Sequence, residues 1–142
     1  MSPLPVRHVF VYGTLRQGEQ RDIRRMKPVP HWVGRASILG TLYDLGSYPG
    51  LVPGCPGEAG PVHGEVYAIS AELERQLDEI EEVGPQQSGE YLKQDLMVNL
   101  DSVADAQHQL RCLVYVIDSA RSVGLNAIVG GDWAQHRRNQ RP

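Results

Sequence analysis

The sequence predicts an α+β domain: a mixed, partly closed, barrel-like β-sheet of about six strands with flanking helices. Stretches with strand-like period recur from one end of the chain to the other. Sustained helical spacing occurs in one place, and strands and helices do not alternate as they do in βαβ folds. A partly closed sheet with a helix against one side buries long apolar strands and leaves few exposed edges.

Residues 1–7 are a Pro-bearing lead-in with little to order them. Val9 to Tyr12 is a short apolar, β-branched and aromatic run, as in a strand buried on both faces. Gln20 to Met26 has weak helical spacing and reads as a short helix, ended by Pro28 and Pro30. His31 to Leu45 reads as two strands, or as one bent strand with a bulge near Gly40. Gly46 to Gly60 is rich in Gly and Pro and reads as a long loop, packed down by Tyr48, Leu51 and Val52. Val62 to Ile69 alternates as a strand. The clearest helix follows, with Ser70 as N-cap, Glu72 in the first turn, and Leu73, Leu77 and Ile80 as the apolar stripe.

After a polar loop from Pro85 to Gly89, Tyr91 to Leu100 alternates, with Gln94 the exception on its apolar face. Asp101 to Gln109 is a turn region, and Leu110 to Ile117 is apolar enough for a central strand. Ser122 to Ile128 reads as a short helix and Gly130 to Trp133 as a turn. The basic tail with His136, Arg137, Arg138 and Arg141 reads as disordered. No repeat or linker divides the chain, so residues 1–142 form one domain with its core at about 8–133.

Composition narrows the function classes. A net charge of −3 gives no reason to expect nucleic acid. No apolar run approaches the roughly 20 residues of a membrane span, and no secretory leader is evident. Cys55 and Cys112 are too few for a disulfide framework and lack metal-ligand spacing. A cytoplasmic, reducing location is expected, with no membrane partner, no metal and no cofactor. A monomer or weak homodimer is expected.

Chemistry is concentrated in two stretches. Tyr12-Gly13-Thr14-Leu15-Arg16 ends the first strand in a Gly-bearing loop, whose backbone N–H groups can line a concavity for an anion. Glu81 lies four residues after Leu77 and one after Ile80, on the stripe that faces the core. Burial and the negative end of the helix dipole both raise the pKa of a carboxylate there, which suits it to accept protons near neutral pH. Asp78 and Glu79 fall on the solvent side and read as surface charges.

Tyr12-Gly13-Thr14-Leu15-Arg16, then Leu77-Asp78-Glu79-Ile80-Glu81, then Gly89-Glu90-Tyr91 opening a strand, resemble the gamma-glutamylcyclotransferase-like family. Tyr48-Pro49-Gly50, His63-Gly64-Glu65-Val66-Tyr67 and Gly131-Asp132-Trp133 look most like its bacterial branch. The resemblance implies a barrel-like mixed sheet and a cofactor-independent cyclisation of a small gamma-glutamyl substrate. In that reaction the α-amine attacks the γ-carbonyl, 5-oxoproline forms, and an amine or amino acid leaves.

It further implies that the loop at Tyr12, Gly13, Thr14 and Leu15 holds the glutamyl α-carboxylate and α-amine, and that Glu81 is the acid/base. Glu90 is the alternative, because some relatives keep only the Gly-Glu-Tyr piece. Arg16 is a candidate for a substrate carboxylate, and Tyr91 and Tyr115 are candidates for the pocket wall. Active members usually carry glycine after the catalytic glutamate, whereas this chain has Glu82. The other reading is a non-catalytic protein of the same fold that binds small carboxylates.

Overall fold

The computed structural model describes residues 7–19, 22–45, 48–54, 60–80, 91–101, 109–128 and 130–139. Six strands form one sheet: β1 (Arg7–Val11), β2 (His31–Asp44), β3 (Pro49–Pro53), β4 (Gly60–Ile69), β5 (Leu92–Leu100) and β6 (Gln109–Val116). The helices are α1 (Ala71–Ile80) and α2 (Trp133–Asn139), with single 3₁₀ turns at Ile23–Arg25 and Ser119–Ser122. The sheet order is β3-β2-β4-β1-β6-β5, and a further β2–β5 pairing closes five of the strands into a barrel. β1 and β6 run parallel, and the other pairs are antiparallel. Among the described residues no helix is long and apolar enough to cross a membrane.

Period-two patterning divides the apolar residues between two cores. Phe10, Ile38, Leu42, Val62, Val66, Val98 and Val114 face the barrel interior, with Trp133 packed among them. Val9, Val11, Leu113 and Tyr115 face outward and meet Leu73 and Leu77 of α1, with Leu15, Ile23 and Tyr67 beside them. β1 contributes to both cores, which is why its run from Val9 to Val11 is buried without alternation. Helix α1 begins where expected, with Ser70 Oγ accepting the Leu73 N–H at 3.1 Å.

Four expectations for strands and turns are corrected. His31–Asp44 is one strand, and its register shift lies between Trp32 and Gly34 instead of near Gly40. The supposed loop at Gly46 to Gly60 contains β3, which pairs Pro49–Pro53 with β2. Its flanking prolines conceal it in the sequence yet suit an outer strand, where one side of the backbone needs no partner. Ser122 to Ile128 is not a helix. Gly124, at φ +83°, turns the chain, and Ile128 then donates its N–H to Leu42 O at 2.7 Å. Gln20 to Met26 supplies only the turn Ile23–Arg25, capped by Asp22.

Of the basic tail expected to be disordered, His136, Arg137 and Arg138 instead lie in α2 (Trp133–Asn139), and Arg141 lies outside the described residues. Asp132 accepts the Gln135 N–H at 3.1 Å, and Trp133 is buried. His136 meets Asp44 at 2.9 Å and Arg137 meets Glu19 at 2.7 Å. Three anchors that lie far away in sequence therefore order a segment whose local pattern is weak.

Candidate functional site

Strand β1 ends at Val11, and the chain turns directly after Tyr12. Arg16 N–H closes a tight turn onto Gly13 O at 3.0 Å. The amide N–H groups of Thr14 and Leu15, in the middle of that turn, have no acceptor among the described residues. The buried Leu15 side chain fixes the turn to the outer core, and Leu15 O accepts the Ile23 N–H at 2.9 Å. Two adjacent amide donors within one turn are suited to an anion. Gly13 is required where it stands, because a Cβ there would lie 2.6 Å from Pro49 Cγ.

Three tyrosines frame this turn. Tyr12 is buried and its hydroxyl is committed: it donates to Tyr115 O at 2.5 Å and accepts the Leu51 N–H at 3.2 Å. It therefore joins β1, β3 and β6 where they converge. The Tyr91 hydroxyl donates to Pro49 O at 2.6 Å, and its ring lies 6.2 Å from that of Tyr48. The Tyr115 hydroxyl donates to Asp78 Oδ1 at 2.7 Å, linking β6 to the last described turn of α1. Gly13, Thr14, Leu15, Tyr12, Tyr91 and Tyr115 thus come together at one end of the barrel. Glu81 and Glu90 lie outside the described residues.

Asp78 is not a free surface charge, contrary to the sequence reading. It holds Tyr115 on one oxygen and Lys93 Nζ on the other, at 2.9 Å, while Lys93 also reaches Glu74. A signal was present, since Glu74 and Asp78 are four apart on a helix and two carboxylates on one face call for a cation.

The Arg16 side chain is held by two carboxylates. Its Nε donates to Glu65 Oε2 at 3.3 Å and its Nη1 to Asp132 Oδ1 at 2.9 Å. Two carboxylates already neutralise it, so the substrate-carboxylate role expected for Arg16 is not what this geometry presents. Glu65, missed by the sequence reading as a site residue, is 5% exposed. Burial and the adjacent Glu65 carboxylate push the Tyr67 phenol well above its ordinary range. Beyond Arg16 lies a cleft of about 180 Å³ lined by Arg16, Arg35, His63, Asp101, Asp132 and Gln135, among others. Among the described residues no three His, Cys, Asp or Glu side chains gather as a metal ion would require.

Asp22 secures the far end of the same loop. It accepts the Gly18 N–H at 2.8 Å and pairs with Arg24 at 2.7 Å. The Arg24 hydrogen bonds hold its carboxyl down at about 2, from an ordinary 3.8. A lowered folded-state pKa adds stability above the unfolded value, and that stability is lost as pH falls toward 2. Wild type should therefore exceed Asp22→Asn by at most about 2 kcal/mol at pH 6, since Arg24 is half in water. The gap should close by about pH 2. Urea midpoints of both proteins across this range test it, and a gap that stays constant would contradict it.

The family model described as gamma-glutamyl cyclotransferase, AIG2-like, matches residues 9–135. The gamma-glutamylcyclotransferase family protein YtfP of Escherichia coli (strain K12) is 34% identical over 132 residues, covering 88% of this chain and 94% of that one. The gamma-glutamylaminecyclotransferase of Bos taurus is 34% identical over 116 residues, covering 75% of this chain and 63% of that one. An AIG2-like protein of Mus musculus matches in structure with a TM-score of 0.71 at 21% identity, covering 90% of this chain and 88% of that one, which speaks to the fold alone.

Proposed function

Because the chain belongs to the gamma-glutamyl cyclotransferase, AIG2-like family, we propose that it cyclises a small gamma-glutamyl amine or amino acid, releasing 5-oxoproline and the free amine. The observation that carries this reading is the Gly13–Arg16 turn at the end of a buried strand, whose Thr14 and Leu15 amides have no acceptor among the described residues. These donors receive the glutamyl α-carboxylate. The Tyr115–Asp78 bond ties the last described turn of α1 to the strand whose carbonyl holds Tyr12. Glu81 is the next residue after α1.

In the reaction the α-ammonium gives a proton to Glu81, and the freed amine attacks the γ-carbonyl. A C–N bond forms within the ring and the ring nitrogen gives up a second proton, the original amide C–N bond breaks, and both protons pass through Glu81 to the departing nitrogen, which leaves as its ammonium form. Nucleophile and electrophile belong to one molecule, so the protein's task is to fold the glutamyl chain into ring-closing geometry. An amine leaving group is the first choice, in line with the activity for which the bovine relative is named.

The test is to incubate the pure protein with a panel of gamma-glutamyl amines and gamma-glutamyl amino acids and assay 5-oxoproline by chromatography. Product that requires the protein is the expected result. Saturable binding of 5-oxoproline without any turnover would replace this reading with a carboxylate-binding protein.

A further inference from the structure

We propose that Glu65 is the positioning residue of the Gly13–Gln17 turn, acting through Gln17 and Arg16, and that Asp132 extends this control to α2. The inference rests on reading that turn as the substrate-carboxylate site. Glu65 projects from β4 beneath the loop and collects three donors. Gln17 N–H lies at 2.9 Å and the Tyr67 hydroxyl at 3.0 Å, both on Oε1, while Arg16 Nε lies at 3.3 Å on Oε2. The Arg16 guanidinium then continues to Asp132, which caps the start of α2 through Gln135 N–H.

Stability alone does not explain a carboxylate here. Removing a charge from water is costly, and a buried ion pair is often no more stabilising than apolar packing of the same volume. What a carboxylate supplies is direction, since it only accepts and can bind a backbone N–H and a guanidinium on separate oxygens. Arg16 directly follows Leu15 in the chain, and Gln17 comes next. Their placement fixes where Thr14 and Leu15 point, and the side-chain charge of Arg16 is spent on holding the turn in place. Burial works against the charge of Asp132, yet the Gln135 N–H and Arg16 hold its carboxyl below the usual range, so the outer end of the network stays ionised at neutral pH.

Glu65→Gln is the informative change. It keeps the size and an acceptor for Gln17, but its NH₂ group would face Arg16 Nε and release it. With a gamma-glutamyl substrate that the wild type turns over, KM should rise at least tenfold while kcat stays within about threefold, the pattern of lost uniform binding. Asp132→Asn should raise KM by a smaller factor, and it serves as the test if Glu65→Gln does not fold.

A second readout does not depend on activity. The Arg16 amide, which closes the turn, should exchange hydrogen at least tenfold faster in the variant while amides of β1 and β6 are unchanged. Unchanged KM, or turn exchange that moves only in step with the core, would overturn the proposal. If the wild type converts no gamma-glutamyl compound, the functional reading fails by itself, and the exchange experiment still decides the role of Glu65.

Discussion

Glu81→Gln is expected to reduce 5-oxoproline formation at least about 10²-fold, the lower end of what a positioned acid/base contributes. KM should change little, and Glu90→Gln should retain activity within about threefold. Glutamine preserves the length of Glu81 but cannot take the ammonium proton, and without that transfer the α-amine is no nucleophile at neutral pH. In sequence Glu81 directly follows α1. The helix's apolar stripe packs Leu73 and Leu77 into the outer core, and the Tyr115–Asp78 bond together with Lys93 holds its last described turn against β6 and β5. Chromatographic assay of product from the two variants and wild type decides the assignment. Equal loss in Glu90→Gln with activity retained in Glu81→Gln would move the acid/base to Glu90.

The second large effect is on folding. Gly64→Ala should destabilise the protein by at least about 3 kcal/mol, at or beyond the upper end of ordinary overpacking. A Cβ at this position would lie about 2 Å from the Val11 carbonyl oxygen and 2.8 Å from Phe10 Cζ. The obstacle is largely backbone. Val11 pairs with Glu65 in the β1–β4 ladder, so its carbonyl cannot move unless the end of β1 and the turn that follows it move too. The variant should also lose substrate affinity in its folded fraction. Gly60→Ala, on the same strand with nothing within 4 Å, is the control and should stay within about 0.5 kcal/mol. Urea unfolding followed by circular dichroism separates the two, and equal midpoints would refute the argument.

Much of the barrel could be read from the sequence, because its strands carry their own period and α1 carries both cap and stripe. β3 could not, since Pro49, Gly50 and Pro53 weaken every local strand signal and only pairing with β2 makes the segment extended. α2 could not either, because its order comes from Trp133 buried in the barrel and from Asp44 and Glu19, which lie far away in sequence.

The site divides in the same way. The turn that follows Tyr12 was legible as a turn because a buried strand breaking at glycine is a local event. The partners of Arg16 were not, since Glu65 and Asp132 are 49 and 116 positions away. A lone arginine in a loop gives no hint of carboxylates that only the closed sheet brings to it. Asp78 was misjudged for a related reason: α1 presents it to β5 and β6, which come later in the chain.

The Arg16–Asp132 pair also bears on the order of events as the chain folds. It joins the first strand's turn to the start of the last helix, and β1 finds its parallel neighbour only in β6. Contacts of such long sequence separation form late and slow the search. During synthesis, the turn at Gly13 can be made early, but its outer clamp must wait until residue 132 has left the ribosome. Ligand affinity should therefore be among the last properties the nascent protein acquires, after its strands are already protected.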